Sequence, residues 1–129
     1  EKRAAELAAY DCDFFLTSAN AVTEDGEMIN VDGFANRVSA IAAGPRTVLV
    51  IAGMNKVGQK PGRCVFQSKK MRRLPINTQR FGLDTPCSKN GMCYDCKSPD
   101  TICCQILITR FSKIKGRIKV ILVDEELGF

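Results

Sequence analysis

Histidine is absent from all 129 residues, and no apolar run approaches the ~20 residues that span a bilayer. The first absence removes the Ser/His/Asp arrangement, the commonest general base and the usual nitrogen ligand for zinc. Any metal site must then be all-sulfur or complete itself with oxygen. The second absence makes a soluble chain without a membrane span the expectation. Neither a dinucleotide-binding Gly fingerprint nor a P-loop is present, which argues against hydride transfer to a bound nicotinamide.

What is present is ordinary in bulk, with 45% hydrophobic and 26% charged residues, as in a globular domain with a real core. The net charge of +5 suggests a nucleic-acid partner until its distribution is read. Residues 58–74 hold six basic residues and no acidic one, leaving 13 basic residues against all 14 acidic ones elsewhere. A nucleic-acid face draws basic residues from several elements, so no nucleic-acid partner is expected. Seven cysteines, an odd number, do not complete a disulfide framework and point to a reducing, cytoplasmic setting. The start, EKRAAELAAY, reads as a charged amphipathic helix with neither initiator Met nor signal-peptide core, as expected of an N-terminally truncated domain.

Four cysteines are spaced Cys87-x5-Cys93-x2-Cys96-x6-Cys103, with Gly91, Ser98 and Pro99 supplying turns between them. Such a loop can bring four soft thiolates onto one ion, as a tetrahedral zinc or an iron–sulfur cluster. Zinc ribbons carry two Cys-x2-Cys pairs and this run has one, so the spacing does not choose the metal; ordinary buried or paired cysteines are the plainer reading. Cys104 adjoins Cys103, and if both lie on a strand only one can face the cluster.

The rest of the chain alternates helix and strand. Residues 1–10 read as a helix, 13–18 and 27–31 as strands, and 34–43 as a helix stopped by Gly44-Pro45. The run 47–52 is the most apolar strand, 75–82 a short helix opened by Pro75, and 105–111 and 117–123 a closing β-pair joined near Lys115-Gly116. This order indicates a three-layer α/β domain. Segment 58–74 fits poorly, because Pro61-Gly62 breaks the crossover helix such a fold needs after the strand at 47–52. A shifted reading frame after Val57 permits a peptide with Val, Leu, Phe and Val at helical spacing. The expectation is a local frameshift, in which case Cys64 and the basic cluster carry no functional information.

Between the first strands, Thr17–Arg37 is dense in small, polar and acidic residues. Glycines 26 and 33 permit close backbone approach, and Asp32-Gly33 precedes a helix whose open N–H groups suit an anion. Arg37 is a candidate bidentate clamp on a carboxylate or phosphate, and Glu24 and Asp25 are candidates for acid–base work. A tight turn and a capped helix with Arg37 on a solvated face explain the same residues more plainly.

The segments TSANAVTEDGEMINVDGFANRV, GPRTVLVIAGMNKV, PINTQRFGLDTPC, GMCYDCKSPDTIC and ILVDEELGF together resemble the LUD-domain family, the lactate-utilisation proteins of LutC/YkgG type. The resemblance spans nearly the whole chain except 58–74. It implies a Rossmann-like fold similar to NagB, ribose-phosphate isomerase (RpiA) and CoA transferases. It also implies a redox accessory role beside iron–sulfur proteins that oxidise lactate to pyruvate. The family's pocket pattern falls on Thr23, Glu24, Asp25, Gly26, Asn30, Asp32, Gly33, Asn36 and Arg37. A Gly-x-Asn-Lys element falls on Gly53, Asn55 and Lys56, and a further motif on Asn77 and Arg80. Of the last cysteine pair, the pattern favours Cys103. Two other readings stay open: an isomerase or CoA-transferase-type enzyme using Glu24 or Asp25, and a non-catalytic domain closed by a zinc loop.

Overall fold

The structure, a computed structural model, describes residues 1–58 and 73–128. The reading-frame expectation and Cys64 therefore lie outside the described residues, apart from Gly58 and the Arg73-Leu74 pair. Helix α1 (Lys2–Ala8) leads to strand β1 (Phe14–Thr17), then to β2 (Ala21–Thr23) and β3 (Met28–Asp32). Helix α2 (Asn36–Ala43), strand β4 (Thr47–Gly53), a 3-10 turn at Met54–Lys56 and the short β5 (Val57–Gly58) follow. After the gap come α3 (Arg73–Arg80), α4 (Pro86–Asn90), β6 (Gln105–Thr109) and β7 (Ile118–Val123). Pro75 falls in the first turn of α3, where its missing N–H costs the helix nothing.

Two sheets result. One is parallel, in the order β1-β4-β7; the other is mixed, in the order β5-β2-β3-β6. This is a mixed α/β arrangement flanked by helices, consistent with a Rossmann-like fold. Val48, Val50 and Ala52 point from β4 into a core shared with Val22 and Met28 of the second sheet, Ala19 of the β1–β2 connection and Ile41 of α2. The alternation in β4 is what makes this possible, since period-2 side chains place one set inward. The opposite set shares the other face of the parallel sheet, where Leu16 is 66%, Ile51 40% and Ile121 47% exposed.

The expected β-pair between the last two strands does not form. Strand β6 runs antiparallel to β3, with Ile106 opposite Val31, while β7 runs parallel to β4, with Ile121 opposite Ile51. The buried Arg117 explains the separation. Its guanidinium donates to Pro45 O at 3.0 Å, Ile41 O at 2.8 Å and Ala40 O at 3.3 Å. A cation thus satisfies the carbonyls at the C-terminus of α2 and pins the start of β7 beside β4. The strand expected over 105–111 ends at Thr109, which frees the following residues to cross between sheets. Cys103 and Cys104 precede β6, so the two-face argument for them does not apply. Among the described residues, no helix is long and apolar enough to cross a membrane.

Candidate functional site

Arg37 sits in the first turn of α2, and its side chain turns inward rather than toward solvent. Nη1 donates to Ser18 O at 3.0 Å and to Asn30 Oδ1 at 2.8 Å. Nη2 donates to Asn20 Oδ1 at 3.0 Å and to Val31 O at 2.8 Å. One guanidinium therefore ties the β1–β2 connection, β3 and α2 together, and both of its fork nitrogens are committed to protein oxygens. Burial pulls its pKa below the ordinary arginine value, and the charge of Asp32 opposes that shift. Neither a solvated Arg37 nor an open Arg37 fork matches this geometry.

The helix end is closed in the same way. Asp32 Oδ2 accepts from the backbone N–H of Arg37 at 3.0 Å and of Val38 at 3.1 Å. The N–H groups expected to receive an external anion are capped by the chain's own carboxylate. Asn36 also turns its Oδ1 to the Arg37 N–H, at 3.0 Å. Asn30 is only 1% exposed, and its Nδ2 has no hydrogen-bond partner.

A second group gathers at the carboxyl ends of the parallel strands, where open α/β sheets bind ligands. Lys56, 6% exposed, donates from Nζ to Ser18 Oγ at 3.0 Å. Ser18 thus meets both cations, the buried Lys56 through its hydroxyl and the half-buried Arg37 through its carbonyl. Asn55 receives the Leu127 N–H and donates to Gly128 O, each at 3.4 Å. Gly53 makes this closure possible, because a Cβ there would collide with Asn55 Oδ1, Glu125 O and Leu127 N. Ser18, Asn20 and the segment Glu125–Gly128 were not assigned to the site from sequence. The signal that marks them is position: each follows a strand that proves to be parallel, and that fact is tertiary.

The remaining site candidates are elsewhere. Thr23 is buried and accepts the Glu27 N–H on its hydroxyl at 2.9 Å, closing a tight hairpin in which Gly26 has φ +84. Glu24 and Asp25 stand exposed at its tip. They are at the far end of β2 and β3 from Asn20 and Asp32, and even Glu24 is four residues from Asn20, a run of ~13 Å along the strand. Asn77 is half-buried and Arg80 exposed on α3, which packs on α4.

The cysteine loop packs against the corner at Asp32-Gly33. A Cβ on Gly33 would stand 3.4 Å from Ile102 Cα, and the Gln105 amide, turned so that its nitrogen faces the two carbonyls, donates to Gly33 O at 2.8 Å and to Asp32 O at 3.0 Å. Within the loop, Cys87 is buried, with Sγ 3.4 Å from Thr78 Oγ1 and 3.3 Å from Thr85 Oγ1. Cys93 and Cys96 are half-buried free thiols, Cys103 is half-buried as well, and Cys93 Sγ accepts the Asp95 N–H at 3.4 Å. Among the described residues, no three Cys, Asp or Glu side chains converge as a metal-ligand set. In this conformation Cys87, Cys93, Cys96 and Cys103 do not fit a zinc or cluster site.

The family model of the LUD domain matches residues 1–123. No curated protein and no solved structure matches the chain. The chain belongs to the LUD-domain family.

Proposed function

We propose that this LUD domain serves lactate utilisation as a redox accessory subunit beside iron–sulfur partner proteins, and that it binds a small carboxylate metabolite where β1 and β4 end. The family is associated with lactate-utilisation proteins, which supports the metabolic setting. The observation that carries the binding site is the buried Lys56 ammonium, held 3.0 Å from Ser18 Oγ at the carboxyl end of β4. An ammonium in a polar, largely dehydrated corner attracts a carboxylate more strongly than one in water. A serine hydroxyl beside it can donate to the same anion or accept from a 2-hydroxyl group. In this reading Arg37 is a positioning residue that fixes the Ser18 carbonyl.

The geometry gives less support to an acid–base enzyme built on Glu24 or Asp25, because both carboxylates stand at the exposed hairpin tip. No metal-dependent step is assigned, since the thiols do not converge. The test is calorimetric titration of lactate and pyruvate into the wild type and into Lys56→Met. The expected loss is roughly ten- to a hundredfold in affinity, the scale of one charge-assisted hydrogen bond. Equal affinity in the two proteins would remove Lys56 from the site.

A further inference from the structure

A cleft of about 510 Å³ opens between α1, β1 and the turn that enters α2. That is the size of a metabolite or cofactor pocket and generous for a three-carbon acid. Its walls are divided by chemistry: Tyr10, Phe15 and Phe34 supply aromatic surface, while Lys2, Arg3, Glu6, Thr17 and Asn36 supply polar and charged groups, the Glu6 carboxylate being paired with Arg3 at 3.5 Å. Phe34 is 89% exposed, with Lys2 Nζ 5.7 Å from its ring centroid. Phe81 and Phe111 are also exposed, but neither lines this cleft.

The turn that presents Phe34 is strained. Ala35 has φ +62, a left-handed conformation that costs a residue with a Cβ ~1 kcal/mol or more. This backbone holds Phe34 at the cleft wall and Asn36 beside it. Because Asn36 Oδ1 accepts the Arg37 N–H, its Nδ2 donors are left for another acceptor. With Asp32 capping α2, an anion in the cleft would be held by side chains rather than by the helix end.

We propose that this cleft binds a nucleoside phosphate. The base lies against Phe34 and Tyr10, and the phosphate meets the Lys2 ammonium and the Asn36 amide. A flat ring uses the aromatic wall, a phosphate uses the polar one, and only a ligand carrying both fills the cleft. The assignment is independent of the carboxylate site at Lys56.

The test is calorimetric titration of the full chain with AMP, and separately with adenosine, inorganic phosphate and benzoate. AMP should bind with a sub-millimolar Kd, and each of the other three at least about tenfold more weakly. Phe34→Ala and Lys2→Ala should each weaken AMP binding by roughly three- to tenfold, the range of a single stacking or cation contact. Both residues are at the surface, so unchanged thermal melts will show that the fold survives. Lys56→Met should leave AMP affinity unchanged, which separates this site from the carboxylate site. AMP binding no tighter than phosphate, benzoate matching AMP, or Phe34→Ala without effect would each overturn the assignment.

Discussion

The Arg37 guanidinium decides which way round the Asn30 amide sits. Nη1 lies 2.8 Å from Asn30 Oδ1, so the amide oxygen must face the cation and Nδ2 must face away, where it has no partner. The arrangement accepts one orphaned donor, at a cost of ~1–3 kcal/mol, in return for four hydrogen bonds from a half-buried cation. The cluster therefore holds α2 and both sheets in register before any ligand arrives.

Replacing Arg37 should consequently damage the fold more than any single contact would suggest. Arg37→Met leaves the Ser18 and Val31 carbonyls and the Asn30 amide oxygen without this donor, and an expected loss of ~3–5 kcal/mol follows. Arg37→Lys should recover only part of it, because an ammonium cannot reproduce a planar fork that reaches four acceptors. Urea denaturation of the three proteins measures both differences. A loss below ~1 kcal/mol in Arg37→Met would show that the network is dispensable.

Glycine substitutions should separate steric from conformational cost. Gly53→Ala places a Cβ on the Glu125 and Leu127 backbone, which cannot move without releasing the C-terminal segment. A destabilisation of ~2 kcal/mol or more is expected. Gly26→Ala meets nothing within 4 Å and carries only the strain of φ +84, so ~1 kcal/mol is expected. Thermal melts that ranked the two in the opposite order would contradict this packing.

At the hairpin, Thr23→Val removes the hydroxyl that accepts the Glu27 N–H and should cost ~1–2 kcal/mol. Glu24→Gln and Asp25→Asn, at the exposed tip, should change stability by less than ~0.5 kcal/mol and leave ligand affinity intact. A large loss of turnover or binding in either tip variant would return acid–base chemistry to this turn.

The thiols should also divide. Cys87→Ser disturbs a buried sulfur between two threonine hydroxyls and is expected to lower the Tm, while Cys93→Ser and Cys96→Ser should stay within ~0.5 kcal/mol of wild type. Elemental analysis of protein purified without oxygen provides the check. Bound zinc or iron that disappears in Cys93→Ser and Cys96→Ser, together with a fall in Tm, would mean that the loop reorganises around a metal.

The sequence by itself determined where the longer strands and helices lie, though not the short β2, β5 and α4, because period-2 and period-3.6 patterns and turn residues act within a few positions. The run Thr47–Gly53 declared its buried strand, and Gly44-Pro45 the end of α2, for that reason. It also marked Asp32 and Arg37 as a candidate anion site at the start of a helix, and the resemblance to the LUD-domain family added Lys56. Only the tertiary structure decided what those charges do. The partners of Arg37 include Ser18 and Asn20, 19 and 17 residues upstream, and Lys56 reaches Ser18 across 38 residues. Likewise β6 and β7 read as a local pair, yet Arg117 holds β7 to α2 across more than 70 residues. Contacts of that separation depend on how sheets stack and which strand becomes parallel, and no local pattern in the chain carries that information.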